Sequence, residues 1–236
     1  ELHYIHNVFG CILRRGVWVD FCTDIGRIEN IHFNPHYWGR AKIDAKSEDQ
    51  KVDKWWDLDI EYQKKNLEGF LLGKTDWEYM SNCFVIFPKV GFKFTTYTHG
   101  PGNVVLTQCG ADICPVAVQV ESTQGHAGIA FENSQFMSGI VVNATNDGPV
   151  KFTNCGFWGA PGVTSHAMIE GKGTVMFNSC HFINWDEANQ GVPAIDVKSS
   201  AVLITACDFI DRGRKHIRLG PEVTGAVVLG NRFRTD

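Results

Sequence analysis

The residues best suited to acid–base chemistry are Glu170 in "SHAMIEG", Asp196 in "AIDVK" and His216 in "HIRLG". Each lies in a short segment with apolar residues at every second position, the period of a β-strand. If Ile195 and Val197 fill a core, Asp196 and Lys198 face away from it. If Ile217 and Leu219 do the same, His216 and Arg218 face out, and Ala167 and Ile169 would likewise leave His166 and Glu170 outside. Stacked strands bring equivalent positions within about 5 Å, which would set Asp196 between Glu170 and His216, with Lys198 beside Arg218. Two carboxylates one rung apart suit a retaining glycosidase, and two rungs apart an inverting one. A Lys or Arg could instead neutralise a bound uronate, or take the proton α to its carboxylate, in a lyase. Glu170, Asp196 and His216 are therefore the candidate catalytic groups, and Lys198, Arg218 and His166 the candidate substrate ligands.

Earlier segments add Trp18, Asp20, Lys93, Gln119, Glu121 and Asn143 to the same outward face, with Lys93 a further substrate ligand. Trp158 and Trp185 directly follow strand-like segments, where an exposed indole would offer a sugar ring apolar area at small entropic cost. Trp38, Trp55 and Trp56 fall in a charged segment and serve either as such platforms or as anchors for that segment. The neighbouring Asp186–Glu187 pair reads as solvated loop.

These groups need a scaffold that stacks strands, and the chain repeats itself accordingly. The phrases "VKFTNCGFWG", "VMFNSCHFIN" and "VLITACDFID" share a Cys two residues before a Phe. Anchored on the last apolar residue, the series runs Phe9, Phe33, Phe84, Ala111, Phe136, Phe157, Phe182, Phe209, Phe233, at steps of 21 to 27 residues apart from one of 51. A period of this size marks a solenoid, in which each repeat buries its core only against its neighbours. Period-2 alternation inside the repeats specifies an all-β, right-handed parallel β-helix of about eight or nine coils, with three short strands per coil.

In the repeat Ala194 to Ile210, "AIDVK" is the first strand, Ser199–Ser200 a turn, "VLIT" the second strand and "CDF" the third. Asn30, Asn133, Asn154 and Ser179 fall at the corner before the third strand, where a polar side chain can serve the backbone. Cys109, Cys155, Cys180 and Cys207 then point inward as a core ladder. The double step is an insertion, residues 38–68, charged and partly helical; the whole of 1–236 is otherwise one domain.

Composition narrows the function classes. Net charge is −4 with both signs interspersed, which leaves no nucleic-acid footprint. The apolar runs fall far short of the roughly 18 residues of a membrane span. The eight Cys include no CxxC pair, the nine His no HExxH, and the acidic residues no cluster. No cofactor is predicted; a calcium site made of Asp and Glu stays open, but no acidic cluster here predicts one. The chain opens on Glu1 and both its ends fall inside a repeat. We therefore expect a longer parent chain, with a flanking domain or a homo-oligomer covering the solenoid ends.

"GVWVDFCTDIGRIENIHFNPHYW" (Gly16 to Trp38), together with "FTNCGF" and "FNSCHF", resembles the pectate-lyase-like superfamily, in particular its family 28-related β-helix proteins. The resemblance spans most of the chain but lies in the fold repeats. There is no Asp-Asp pair, and "QGHAG" (Gln124 to Gly128) only half-matches the Gly-His-Gly of the polygalacturonase branch, so no catalytic residue is carried over. It implies a polysaccharide or glycan ligand and an extracellular, cell-surface or periplasmic setting. Two functions follow: a glycoside hydrolase or polysaccharide lyase working in a groove along the first strands, or a non-catalytic glycan-binding or structural module of tailspike or adhesin type.

Overall fold

A computed structural model describes residues 2–39 and 52–234. In chain order its elements are β1 (Tyr4–Gly10), β2 (Arg15–Val19), β3 (Gly26–Phe33), α1 (His36–Gly39), α2 (Val52–Asn66), β4 (Glu68–Leu72), β5 (Glu78–Ile86) and β6 (Val90–Phe94). There follow β7 (Val104–Thr107), β8 (Gly110–Asp112), β9 (Val116–Val120), β10 (Ile129–Glu132), β11 (Gln135–Phe136), β12 (Ile140–Val142), β13 (Val150–Thr153) and β14 (Gly156–Trp158). The last are β15 (Ala167–Ile169), β16 (Thr174–Asn178), β17 (His181–Ile183), β18 (Ile195–Thr205), β19 (Asp208–Phe209), β20 (Ile217–Leu229) and β21 (Arg232–Phe233).

Every pairing is parallel and links one coil to the next, so the strands stack as a β-solenoid of about nine turns. Three walls result. The first wall is β2, β4, β6, β9, β12, β15 and the opening residues of β18 and β20. The second carries the opening residues of β1, β3 and β5, then β7, β10, β13, β16 and the closing parts of β18 and β20. The third carries the closing residues of β1, β3 and β5, then β8, β11, β14, β17, β19 and β21.

The corner between second and third walls sets the phase of every coil. Asn7, Asn30, Asn82, Gln108, Asn133, Asn154, Ser179 and Ala206 there all have positive φ, between 51° and 56°, and Gly230 closes the series at 67°. Asn suits this left-handed turn because its short amide tolerates the region and bonds locally. The amides also bond along the axis: Asn30 Nδ2 donates to Asn7 Oδ1 (2.7 Å), Asn82 Nδ2 to Asn30 Oδ1 (3.0 Å) and Asn154 Nδ2 to Asn133 Oδ1 (2.7 Å).

Counting three residues on from each corner gives Gly10, Phe33, Val85, Ala111, Phe136, Phe157, Phe182, Phe209 and Phe233. Pairing matches that series and corrects two anchors: Phe33 faces Gly10 and Ala111 faces Val85. Phe9 and Phe84 point outward instead, Phe9 against Tyr37 and Phe84 against His32. Ring size misplaced them; the corner conformation is the surer phase mark.

Inside, rings stack rung on rung: Phe70 on Phe92 (centroids 4.8 Å), Phe157 on Phe182 (4.8 Å) and Phe182 on Phe209 (4.8 Å). The inward residue after the corner is Cys83, Cys109, Cys155, Cys180 or Cys207, all free and buried. Cys180 Sγ donates to the carbonyls of Phe152 and Asn178 (both 3.5 Å), and hydrogen bonding with the Cys155 and Cys207 thiols, then burial, raises its pKa. Ser134 occupies the same position and accepts from Cys109 N (3.1 Å). One residue breaks the apolar interior of the second wall. Glu78 takes a place that Val104, Ile129 and Val150 hold on later rungs, and burial pushes its carboxyl up to about 7.

The insertion is partly helical, as expected. Its long helix α2 lies against the turn after β1, where Gln63 Nε2 donates to Ile12 O (2.7 Å) and Arg14 Nε to the Tyr62 hydroxyl (2.8 Å). Trp56 packs on His36 and Phe87, so it anchors the segment to the coil. The Trp55 side chain and residues 40–51 lie outside the described residues. The turn expected at Ser199–Ser200 is a kink inside the continuous strand β18, with register shifts on both sides of Ser199 and Ser200 and φ of 95° at Ser200. No described helix is long and apolar enough to cross a membrane.

Candidate functional site: the outward face of the first wall

Register defines the outward row of the first wall as Trp18, Leu71, Lys93, Gln119, Val141, Met168, Asp196 and Arg218. Ile195 and Val197 fill the core with Asp196 outside them, as strand alternation requires. The rung partners of Asp196, however, are Met168 and Arg218, not Glu170 and His216. Glu170 lies two residues farther along and pairs with Lys198, whose Nζ donates to Glu170 Oε1 (2.7 Å). The expected one-rung pair of carboxylates is therefore not formed.

Arg218 grips Asp196 in a two-point contact, Nε donating to Oδ1 (2.7 Å) and a terminal nitrogen to Oδ2. The Asp196 side chain is only 7% exposed beneath the guanidinium. These groups line a shallow groove of about 490 Å³ with Ser199, Pro221 and Glu222.

Both expected outward histidines are turned in. Each precedes its strand at the corner leading into the first wall, where alternation does not yet hold. His166 is fully buried against Phe157, Phe182 and Trp185. Its Nε2 meets Ile183 O (2.8 Å), and burial holds its pKa down at about 4. His216 stands two rungs on, against Trp185, Phe209 and Phe233, with its pKa lowered by burial. Trp185 is core as well, its Nε1 donating to Lys215 O (2.8 Å). Trp158 is 39% exposed but sits on the third wall, where it donates to Gln135 Oε1 (2.8 Å). Asp186 is buried and ties its own loop by accepting from the amides of Gln190 and Gly191 (both 2.8 Å).

The early coils of the first wall carry aromatic side chains on its outer face. Trp18 is 49% exposed and lies against Tyr97, centroids 5.2 Å apart, with the Arg15 guanidinium 4.9 Å from the indole centre. Tyr97 comes from the loop after β6, two rungs away, and Gly73 leaves it room: a Cβ there would meet Tyr97 Cδ2 at 2.7 Å and Asp20 Oδ1 at 2.5 Å. Beyond them Phe21, 56% exposed, stacks on His99 (3.9 Å).

A polar ladder runs alongside. Lys93 Nζ lies 3.4 Å from Glu68 Oε1 and 3.3 Å from Glu121 Oε1. Burial works against its charge, but Glu121 and Glu68 outweigh it and hold the ammonium pKa above its ordinary value. Glu121 also accepts from Thr95 Oγ1 (2.5 Å) and Gln119 Nε2 (3.0 Å). The sequence pointed to Trp18, Asp20, Lys93, Gln119 and Glu121 through alternation. It missed Tyr97, Phe21 and His99, which reach the wall from loops where no period applies.

Comparison of the chain with protein-family models, with curated proteins and with solved structures finds no match.

Proposed function

We propose that this chain is a glycan-binding β-solenoid module, with its binding surface on the first wall around Trp18 and Tyr97. The supporting observation is the exposed Trp18, backed by the half-buried Tyr97, beside a row of fixed hydrogen-bonding groups, Asp20, Glu68, Lys93, Gln119 and Glu121. Aromatic faces take the apolar face of a sugar ring, while the carboxylates and amide take its hydroxyls. A rigid wall meets the ligand with little ordering cost.

The charge balance favours a neutral or amino-sugar polymer. Lys93 is already shared by two carboxylates, and Asp196–Arg218 and Glu170–Lys198 neutralise one another. Around Trp18, Arg15 and Lys93 stand against Asp20, Glu68 and Glu121, so among these described groups cations are not in surplus for a uronate. The polysaccharide hydrolase or lyase reading is second. It rests on the groove holding Glu170, Asp196, Lys198 and Arg218, and it would require those pairs to open. Affinity electrophoresis across a polysaccharide panel, with reducing-end and ultraviolet product assays on the same mixtures, separates the two. Retardation without products supports a binder; products released by the wild type and lost in Asp196→Asn would favour the enzyme. A flanking domain or second copy over the end coils, and an extracellular setting, accord with a glycan binder.

A further inference from the structure

We propose that His3, Cys22 and Glu78 form a binding site for one thiophilic divalent cation of the zinc class, at the corner where the second wall begins in the first three coils. Their ligating atoms lie within 4.8 Å of one another. A thiol sulfur, an imidazole nitrogen and a carboxylate oxygen are the donor types that such a cation takes together.

Register brings them together from far apart in the chain. Glu78 pairs with Gly26 on the preceding rung, and Arg27 N bonds to His3 O (3.0 Å) on the rung before that. Gly26 thus separates the His3 rung from the Glu78 rung, and having no side chain it leaves their groups free to meet. A Cβ there would stand 2.3 Å from both Glu78 Oε2 and His3 Cε1. Cys22 enters from the turn between β2 and β3, held by its amide bond to Lys74 O (2.9 Å).

The independent sign of a ligand is Glu78 itself. Its side chain is wholly buried at an inward position that later rungs fill with Val or Ile. Oε1 meets His3 Nε2 at 3.0 Å, but Oε2 is buried with no hydrogen-bond partner and faces the space above Gly26. A buried carboxylate oxygen without a partner is costly, and a divalent ion in that space would satisfy it. The Cys22 thiol now donates to Asp24 O (2.8 Å). On binding, that proton leaves to solvent and the thiolate becomes the sulfur ligand, while the neutral His3 ring carries its proton on Nδ1 so that Nε2, now bonded to Glu78 Oε1, is free to ligate. Three protein ligands leave a fourth position for water, and His3, 22% exposed at its side chain, offers the way in.

Titration of the metal-free chain with Co²⁺, followed by displacement with Zn²⁺, tests this. One equivalent should saturate a thiolate-to-cobalt charge-transfer band, and Zn²⁺ should abolish it. Cys22→Ser should lose the band, while Cys114→Ala, which removes a buried thiol elsewhere, should keep it. His3→Ala should weaken zinc binding by at least about tenfold, since even the outer partners of such sites are worth that much. No band in the wild type, or a band persisting in Cys22→Ser, would overturn the proposal. If Cys22→Ser does not fold, an unchanged zinc affinity in His3→Ala overturns it instead.

Discussion

Trp18 and Tyr97 lie with ring centroids 5.2 Å apart although they belong to coils two rungs apart. Gly73, on the rung between, makes the contact available, because its missing side chain is the space the tyrosine ring crosses. The aromatic face is thus built by an omission on one coil and a loop residue from the next.

Gly73→Ala should disturb that face while the solenoid still folds. The new Cβ would displace Tyr97, Asp20 or both. Glycan affinity should fall by about tenfold, the scale of an aromatic pair contact. Stability to urea should fall by about 1–3 kcal/mol at most, the scale of local overpacking. Unaltered affinity would show that Tyr97 is not part of the surface.

The corner ladder makes a prediction about backbone conformation. Asn154 holds a φ of 51° and donates to Asn133. Asn154→Ala loses the bond and places a Cβ-bearing residue in the left-handed region without local support, at a cost of about 1–2 kcal/mol. Asn154→Gly loses the same bond but takes positive φ freely, so it should be the more stable variant. Urea midpoints give the order; the reverse order would remove conformation as the reason for Asn there.

Acid should destabilise the fold through His166. Its pKa is lowered by burial, from about 6.5 in an open chain to about 4 in the fold. Between those values the unfolded chain binds a proton that the folded chain refuses, so stability rises with pH across that window. Full traverse of the window is worth about 3 kcal/mol. Relative to wild type, His166→Gln should flatten urea stability measured from pH 7 down to pH 4.5. Equal slopes in the two proteins would contradict the burial argument.

What was legible in the sequence follows from where periodicity holds. The solenoid, the insertion and the inward thiols at Cys109, Cys155, Cys180 and Cys207 were all readable, because strands repeat with period two and coils stack in register. Alternation also placed Asp196, Lys198 and Arg218 correctly on the outside. It failed one residue before each strand, and so His166 and His216, read as facing solvent, lie against the core rings. It does not extend to loops: Trp185, read from its loop as bordering the groove, folds inward, and Tyr97, which was not singled out, folds over the wall. The meeting of His3, Cys22 and Glu78 depended on the rung pairing across the insertion, which spacing along the chain does not reveal.

Glycan binding on the first wall is put to the test by affinity electrophoresis of three proteins. Wild type, Trp18→Ala and Trp158→Ala would be run through gels containing neutral or amino-sugar polysaccharides. At least one polymer should retard the wild type, Trp18→Ala should lose at least about tenfold in affinity, and Trp158→Ala, altered on the third wall, should run like wild type. Binding that survives Trp18→Ala, or no retardation by any polymer, would contradict glycan binding on this wall.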